Sequence, residues 1–281
     1  MIDNFAIFIL SHGRADNCVT VKTLQRVGYK GRTYILIDNE DKEQELYKCN
    51  FGAENIIVFN KEEAIKRYNG MSNFYKKNVI LWARNEAQRI AREKGLRYIL
   101  ELDDDYTSFQ WRYENEKGEK LKIKECENFD RICEIMLKFL KCDARIKTVA
   151  LAQGGDFIGG VQNKMLNNLK RKAMNSFFID VNNPVDFIGE INEDVNTYVN
   201  SGNVGDLFFT VPNPMLTQKQ TQKTKNGMTE IYKQDGTYVK SFYTVMLNPS
   251  SVKIRLMGDK EKRLHHSISD RYTYPRIMRE L

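Results

Sequence analysis

Residues 97–105 read Arg-Tyr-Ile-Leu-Glu-Leu-Asp-Asp-Asp, a mostly apolar run that ends in three consecutive carboxylates. The run predicts a buried strand over 97–102, with Asp103, Asp104 and Asp105 directly behind it. Adjacent carboxylates repel one another, so a fold tolerates them where solvent, basic side chains or a cation compensate. Divalent cations often bind through one or two carboxylates plus the phosphates of a substrate. The alternative for an isolated acidic triplet is a loop or a helix cap.

The segments before this strand alternate between strand and helix patterns. Strands are predicted over 5–11, 33–38 and 55–59, and helices over 15–27, 41–48 and 77–94. Such alternation implies right-handed crossovers and an α/β fold with a mostly parallel sheet and flanking helices. Ligands of such sheets bind beyond the carboxyl ends of the strands, which here are residues 11–14, 38–41 and 103–105. That position favours a cation or phosphate site for the acidic triplet.

The second half of the chain has a less regular pattern. The segments 109–113 and 121–124 predict a hairpin, 130–140 predicts a helix, and 149–151 predicts a strand that ends near Gly154 and Gly155. Short strands are predicted at 207–211, 238–247 and 252–256. No linker composition interrupts the chain, so we expect one domain, with halves 1–106 and 107–214 and a basic C-terminal elaboration over 215–281.

The composition excludes several classes of protein. Of the 281 residues, 41% are hydrophobic and 29% are charged, which is typical of a globular chain and not of a disordered one. The longest apolar runs, such as 5–10, are much shorter than the ~18 residues of a membrane span, and no basic region precedes that run as in a signal peptide. The five cysteines are odd in number and show no CxxC spacing, which predicts reduced thiols in the cytoplasm.

The net charge of +7 is concentrated at one end of the chain. Residues 215–281 hold thirteen Lys and Arg against six Asp and Glu, whereas the rest of the chain holds 31 of each. Within that end, Lys219, Lys223 and Lys225 lie in an acid-free stretch that aromatic residues follow, and a second basic stretch over 157–179 contains Lys170, Arg171 and Lys172. Localised positive charge indicates a polyanionic partner such as nucleic acid or a membrane surface, although a solvated basic face is an equal alternative.

Two of the strand ends carry further polar side chains. The first reads Ser11-His12-Gly13-Arg14. Glycine allows a close backbone turn, and the arginine guanidinium can donate paired hydrogen bonds to a phosphate. No GxGxxG or GxxxxGK[ST] motif occurs, so the dinucleotide-binding and P-loop classes lack support. Asp38, at the second strand end, could accept hydrogen bonds from a base or ribose, or could equally cap the next helix.

Three polar pairs have both a functional and a structural interpretation. Arg84-Asn85 lies in the predicted helix 77–94, where surface residues beside the apolar stripe are the simpler interpretation. Glu193-Asp194 could supply a general base, or could be acidic residues that favour a helix N-terminus. His265-His266 could supply a metal ligand or an acceptor contact, or could lie on the surface, and no HxxxH or HExxH motif supports zinc.

Together these features resemble the GT-A nucleotide-sugar glycosyltransferases, and within them the phage TET-associated DNA glycosyltransferases. The resemblance is carried by the segments 8–14, 28–29, 38–41, 83–85 and 102–106, and more weakly by Glu193-Asp194, the basic loop and the histidines. One difference from relatives is His12-Gly13, where they more often have Tyr-Asn.

The resemblance implies an inverting, metal-dependent transfer of a sugar to the hydroxyl of a hydroxymethylated pyrimidine, such as 5-hydroxymethylcytosine, in phage DNA within the host cytoplasm. The donor would be a nucleotide-sugar, with a UDP-sugar as the favoured class, and the cofactor Mn²⁺ or Mg²⁺. Residues 1–106 would bind the donor, and residues 107–214 would hold the acceptor and catalytic groups.

The resemblance also assigns roles to individual residues. Donor contacts would come from Ser11, Arg14, Asp38, Arg84, Asn85, Asp103 and Asp104. Metal ligands would be Asp103, Asp105 and one of His265 and His266. Asp194, with Glu193 beside it, would deprotonate the acceptor. DNA contacts would come from Lys219, Lys223, Lys225, Lys170, Arg171 and Lys172.

Two other functions fit the same sequence. The first is the same fold acting on a polysaccharide, lipid or protein hydroxyl. The second is a non-catalytic nucleic-acid-binding protein on a transferase scaffold. The acidic triplet and the Glu-Asp pair disfavour the second function, because added carboxylates do not help a protein to bind a polyanion.

Overall fold

A computed structural model describes residues 2–71, 78–163, 171–218, 228–257, 263–269 and 273. The strands are β1 (Phe5–Leu10), β2 (Arg32–Asp38), β3 (Ile56–Phe59), β4 (Tyr98–Asp103), β5 (Tyr106–Glu114), β6 (Leu121–Glu125), β7 (Ile146–Ala152), β8 (Ser176–Asp180), β9 (Leu207–Gln218), β10 (Val252–Met257) and β11 (Arg263–Ile268). The α-helices are α1 (Val19–Arg26), α2 (Gln44–Phe51), α3 (Lys61–Arg67), α4 (Leu81–Glu93), α5 (Phe129–Leu140), α6 (Glu193–Gly202) and α7 (Met228–Leu247).

A nine-stranded sheet with the order β3-β2-β1-β4-β8-β7-β9-β5-β6 forms the centre of the described structure. The pairs β2–β3, β1–β2, β1–β4 and β7–β9 are parallel. Because β8 and β5 run antiparallel to their neighbours, seven of the nine strands point one way. The predicted α/β fold with a mostly parallel sheet and flanking helices is confirmed.

Strand β1 explains why the sheet is covered on both faces. All six of its residues are buried, and alternate side chains enter two different cores. Ile7 and Ile9 pack in the core beneath α1 and α5, whereas Phe8 and Leu10 pack in the core beneath α4. A continuous apolar strand of this kind requires helices on both faces, as is usual for parallel sheets.

Three helices of the first half, α1, α2 and α4, begin and end within four residues of the predicted positions, whereas α3 was not predicted. Gly28, at φ +73°, follows α1, and the N–H groups of Gly28 and Tyr29 donate to Gln25 and Leu24. A glycine in the left-handed backbone conformation just after the last turn commonly ends a helix. The helix predicted over 77–94 is observed as Leu81–Glu93, and residue 77 lies outside the described residues.

The strand predicted over 238–247 is wrong, because these residues form the second half of α7. Tyr238, Val239, Phe242 and Tyr243 have high strand propensity, but tertiary packing overrides it. The Tyr243 hydroxyl donates to the carbonyl of Gly70, and the Asn192 amide donates to the Lys240 carbonyl and the Thr244 hydroxyl. These contacts are made with residues far away in the chain, so no pattern in the local sequence predicts them.

The prediction missed β8 and β11, and it made β7 and β9 too short. Strand β8 was not predicted and lies antiparallel between β4 and β7. Strand β9 runs for 12 residues instead of the predicted 207–211, although Pro212 and Pro214 fall inside it. The register with β7 shifts between Leu151 and Ala152, and such an irregularity accommodates prolines that cannot donate a ladder hydrogen bond.

The predicted C-terminal elaboration over 215–281 is described only in part, mainly as the end of β9, α7 and the antiparallel pair of β10 and β11. Among the described residues, no helix combines the length and the apolar character that a membrane crossing would need.

Candidate active site

The carboxyl ends of β1, β2 and β4 meet at one edge of the sheet. Leu10, the last residue of β1, aligns with Leu36 in β2 and with Asp103 in β4. The segments that follow these strands are therefore neighbours, as the strand-end rule predicts.

Asp104 is the inward-facing member of the acidic triplet. It is 3% exposed, and its two oxygens accept hydrogen bonds from the Ser11 hydroxyl at 2.5 Å and from Arg14 Nη1 at 2.8 Å. The Tyr47 hydroxyl adds contacts to Ser11 Oγ at 2.7 Å and to the Arg14 N–H at 2.9 Å. Ser11, Arg14 and Asp104 thus bind one another and hold the loop after β1 against the end of β4.

Asp103 and Asp105 are the more open members of the triplet. The Asp103 side chain is 26% exposed, and Asp105 is partly exposed with no hydrogen bond from a described side chain. Burial and the charges of Asp103 and Asp104 raise the pKa of Asp105 to about 7. Burial also raises the pKa of Asp103, although Arg84 opposes the rise. Two partly exposed carboxylates at a strand end, of which only Asp103 is paired with a described basic side chain, fit a divalent cation that is also bound by phosphate.

Arg84 lies beneath the triplet and joins two parts of the chain. Its side chain is 3% exposed, and it donates from Nε to Glu193 at 2.9 Å and from Nη2 to Asp103 at 3.1 Å. Its guanidinium carbon lies 4.6 Å from the centre of the Phe177 ring. The Glu101 carboxylate is fully buried 3.7 Å from Arg84 Nη1, and neither of its oxygens has a hydrogen-bond partner within the described structure.

The side chain of Asn85, which was predicted to contact the nucleotide-sugar donor, binds backbone groups instead. It is 7% exposed, its Nδ2 donates to the carbonyls of Leu81 and Phe187, and its Oδ1 accepts the N–H of Phe187. Gln88, one turn later, makes the same kind of paired contact with the backbone of Val185. Both amides fasten α4 to the segment before α6, and we therefore withdraw Asn85 as a donor contact.

Asp38 is held by two basic side chains. Its oxygens contact His12 Nδ1 at 2.7 Å and Lys61 Nζ at 2.9 Å, and one of them also accepts the Glu40 N–H. Burial alone would raise the pKa of Asp38, but hydrogen bonds from His12 and Lys61 outweigh it and hold the pKa below its ordinary value. The hydrogen bond to Asp38 raises the pKa of His12, whose side chain is 44% exposed at this edge.

Glu193 and Asp194 form the first turn of α6. Asp194 is partly exposed, and its Oδ1 accepts the N–H of Val195 at 2.7 Å. Burial and the neighbouring Glu193 raise the pKa of Asp194 to about 7. The Arg84 contact with Glu193 brings this turn to the Asp103 edge of the sheet. Both interpretations of the pair are therefore compatible, since it begins a helix and also adjoins the acidic triplet.

His265 and His266 lie next to each other in β11, outside the central sheet. His265 Nδ1 is 2.6 Å from its neighbour's carbonyl oxygen, and burial lowers the pKa of His266 to about 4. In the part of the chain that the structure describes, no three His, Cys, Asp or Glu side chains are arranged to hold a metal. The two histidines are thus not assembled with Asp103 and Asp105 in this arrangement.

Most of the basic residues predicted to contact DNA cannot be placed. Lys170, Lys219, Lys223 and Lys225 lie outside the described residues. Arg171 and Lys172 are described and partly exposed, and Lys172 forms an ion pair with Asp156.

The sequence interpretation missed Lys61 and Glu101. Strand β3 ends at Phe59, and Lys61 lies two residues further along the chain. Ligands of parallel sheets bind beyond the carboxyl ends of the strands, so applying this rule to β3 as well would have selected Lys61. Glu101 interrupts an otherwise apolar strand two residues before Asp103, and side chains at that spacing share a face of the sheet. A charged residue in a buried strand was therefore the available signal.

The sequence model of the TET-Associated Glycosyltransferase family matches residues 5–227, about four fifths of the chain. The chain belongs to this family. It is an enzyme of the glycosyltransferase class, and the resemblance seen in the sequence motifs is confirmed. No curated protein matches in a sequence search.

Solved structures similar to this glycosyltransferase are distant. Glucosyl-3-phosphoglycerate synthase from Mycobacterium tuberculosis, in complex with Mn²⁺, uridine diphosphate and phosphoglyceric acid, has a TM-score of 0.47 at 7% identity, covering 94% of this chain and 86% of that chain. Its complex with Mg²⁺ and uridine diphosphate has a TM-score of 0.48 at 7% identity, covering 94% and 87%. TarS from S. aureus has a TM-score of 0.39 at 9% identity, covering 75% and 36%. A likeness at this distance carries no information on activity.

Proposed function

We propose that this glycosyltransferase moves a sugar from a nucleotide-sugar, a UDP-sugar by preference, to the hydroxyl of a hydroxymethylated pyrimidine in DNA. The observation that carries the proposal is the Arg84 bridge. One buried guanidinium holds Asp103, on the donor side, and Glu193, beside the candidate base Asp194. Donor-side and acceptor-side carboxylates therefore share one edge of the sheet.

The donor would lie across the strand ends. Asp103 and Asp105 would hold Mn²⁺ or Mg²⁺, which when bound neutralises charge on the diphosphate leaving group. His12, with its ring braced by Asp38, and the turn at Gly13 would face the nucleoside and phosphates. Ser11, Arg14 and Asp104 would act by keeping this loop in position, since their polar atoms bind one another.

Asp194 would act on the acceptor. Its carboxylate would accept the proton of the acceptor hydroxyl while that oxygen forms a bond to the anomeric carbon. The bond from this carbon to the diphosphate oxygen breaks at the same time, and the nucleoside diphosphate leaves with the electron pair. A base on the face opposite the leaving group gives inversion, and a transition state of oxocarbenium character is expected for sugar transfer. A pKa near 7 suits a general base at neutral pH.

The proposed acceptor rests on the family and on charge. A base inside a duplex is not accessible to such a site, so the target nucleotide would be flipped out or single-stranded. The net positive charge of residues 215–281 would bind the phosphate backbone. All five cysteines are unpaired, which supports action in the cytoplasm.

A donor panel tests the proposal. Nucleotide release would be measured for UDP-, GDP-, CDP- and dTDP-sugars, with and without DNA that contains 5-hydroxymethylcytosine or 5-hydroxymethyluracil, and with unmodified DNA as the control. We expect release from a UDP-sugar to rise only with hydroxymethylated DNA, and mass spectrometry to find one hexose or pentose per modified base. Equal release with unmodified DNA, or transfer only to an oligosaccharide, lipid or peptide, would exclude this acceptor.

A further inference from the structure

Asn192 immediately precedes α6, whose first turn carries Glu193 and the candidate base Asp194. Its backbone has φ +55° and ψ +45°, a left-handed conformation that residues other than glycine adopt rarely and with strain. The residue before a helix normally has an extended backbone, and its side chain accepts an N–H of the first turn. Asn192 makes no such hydrogen bond to α6, all of which is described. Its amide therefore has a role other than that of a helix cap.

The amide of Asn192 binds helix α7. Its Nδ2 donates to the Lys240 carbonyl and to Thr244 Oγ1, both at 2.9 Å. Asn192 is 7% exposed and Thr244 is fully buried, so water is largely kept from these hydrogen bonds. The carbonyl of Asn192 accepts the N–H of Asn196 at 2.9 Å and so begins α6. One residue thus joins the start of α6 to α7 through both its side chain and its backbone.

Tyr243 of α7 fixes the segment just before Asn192. Its hydroxyl accepts the N–H of Glu190 at 3.1 Å and donates to the carbonyl of Gly70 at 2.9 Å. At Gly189, which has φ +88°, an added Cβ would lie 3.2 Å from a ring carbon of Tyr243, so α7 packs directly against this backbone. Helix α7 lies within residues 215–281. The part of the chain that carries the surplus of positive charge therefore also braces the turn that precedes α6.

The position of Asp194 depends on the direction of this turn. Its Oδ1 accepts the N–H of Val195 at 2.7 Å, and its side chain remains partly exposed. Because the carboxylate is tied to the backbone of its own helical turn, a change in the direction of α6 moves the carboxylate as well. A general base must lie about 2.6–3.2 Å from the oxygen that it deprotonates. A displacement of about 1 Å can lower a rate roughly 10²-fold.

We propose that Asn192 is a positioning residue, which holds Asp194 at the acceptor hydroxyl by fastening the first turn of α6 to α7. The assignment rests on the proposed function, in which Asp194 is the base. Arg84 binds the neighbouring Glu193 from the side of α4, and Asn192 binds Lys240 and Thr244 on the side of α7. Two helices that are far apart in the chain thus fix one turn between them. Its strained backbone persists because these surrounding contacts determine it.

The kinetics of Asn192→Gly test this role. Glycine adopts the left-handed backbone without a steric penalty, so the variant keeps the turn and removes only the amide. We expect kcat for transfer to DNA that contains 5-hydroxymethylcytosine to fall by roughly 10–10²-fold, with little change in KM for the UDP-sugar. Asn4→Gly is the matched control, because Asn4 has φ +56° and is exposed. It precedes β1, at the opposite end of that strand from the candidate site, and its substitution should leave both kinetic parameters unchanged.

A double-mutant cycle distinguishes positioning from a general loss of structure. If Asn192 acts through Asp194, Asn192→Gly should cause no further loss of turnover in the Asp194→Asn background. Losses that multiply, or an unchanged kcat in Asn192→Gly, would overturn the proposal. Thr244→Val replaces Asn192→Gly if the latter does not fold, because it removes one of the two acceptors from the side of α7. We expect it to give a smaller loss that is also absent in the Asp194→Asn background.

Two further measurements separate this proposal from the proposed function. Hydrolysis of the UDP-sugar without DNA also needs a base, so the same cycle can be measured on it. A loss of hydrolysis that follows the cycle, without transfer to hydroxymethylated DNA, would keep the positioning role and exclude the acceptor. Full turnover in Asp194→Asn would remove the base and this role together.

Amide hydrogen exchange needs neither donor nor acceptor. The N–H groups of Glu190 and Asn196 are bound within the braced turn, to Tyr243 and to the Asn192 carbonyl. Asn192→Gly should speed exchange at both amides, because local opening of the turn becomes easier, whereas Asn4→Gly should not. Unchanged exchange at both amides in Asn192→Gly would show that the amide does not hold the turn and would overturn the proposal.

Discussion

Three adjacent carboxylates at residues 103–105 have three different environments. Asp104 is bound by Ser11 and Arg14, Asp103 is bound by Arg84, and Asp105 faces the open edge without a described side-chain partner. Asp104 therefore holds the loop after β1 in place, whereas Asp103 and Asp105 are the candidate metal ligands.

At Asp105, we expect substitution by Asn to abolish transfer and to leave the fold intact, because a partly exposed side chain loses only repulsion from its acidic neighbours. Asp104→Asn is the contrasting variant, and it should lower stability by about 1–3 kcal/mol because it disrupts buried hydrogen bonds. Thermal unfolding with and without Mn²⁺ plus UDP gives a readout that does not depend on activity. Stabilisation by metal and UDP should be absent in Asp105→Asn, and full activity of the wild type in excess EDTA would refute the metal site.

At Asp194, we expect substitution by Asn to reduce turnover by roughly 10²–10⁴-fold, the usual contribution of a positioned base. Donor affinity, measured by calorimetry, should change little. The unprotonated form is the active one, so kcat/KM of the wild type at saturating Mg²⁺ should rise with pH and level off above about 7. Near wild-type turnover in Asp194→Asn would move the role of base to Glu193 or Glu190.

At the scale of elements, Arg84 joins α4, β4 and α6 through one side chain. Removal of one partner from a buried charge network typically costs about 3–5 kcal/mol, because it leaves the other charges unpaired. We expect Arg84→Lys to lower the free energy of unfolding, since an ammonium cannot span Asp103 and Glu193 as the guanidinium fork does. Urea denaturation measures this loss.

Arg131→Lys is the control for that experiment. Arg131 pairs with Glu134 on α5, and both side chains are largely exposed, so we expect a change below about 1 kcal/mol. Equal effects of the two substitutions would show that the Arg84 bridge does not organise the site.

At the scale of the whole molecule, the surplus of positive charge lies after residue 214. Replacing Lys219, Lys223 and Lys225 together with Ala should flatten the salt dependence of DNA affinity by about one unit per lost phosphate contact. Transfer to DNA should weaken, whereas slow hydrolysis of the donor should continue. If the triple variant binds and transfers like the parent, these three lysines do not contact DNA.

Local pattern alone was enough to predict the parallel strands of the first half and the edge of the sheet at which their polar strand ends, the candidate site, come together. Apolar runs, glycine stops and strand-to-helix alternation are properties of neighbouring residues, and a parallel sheet brings its strand ends together in every such fold. For the same reason, residues 11–14, 38 and 103–105 could be selected from the sequence.

The tertiary structure decided which of these polar groups bind one another and which stay partly exposed at the strand ends. Asn85 binds the backbone of Phe187, and Asp104 binds Arg14, across 102 and 90 residues of chain. Residues 238–247 become a helix through contacts with Gly70 and Asn192. A buried polar group must find a partner, and the partner is set by which segments the fold brings together, so no pattern in nearby sequence can specify it.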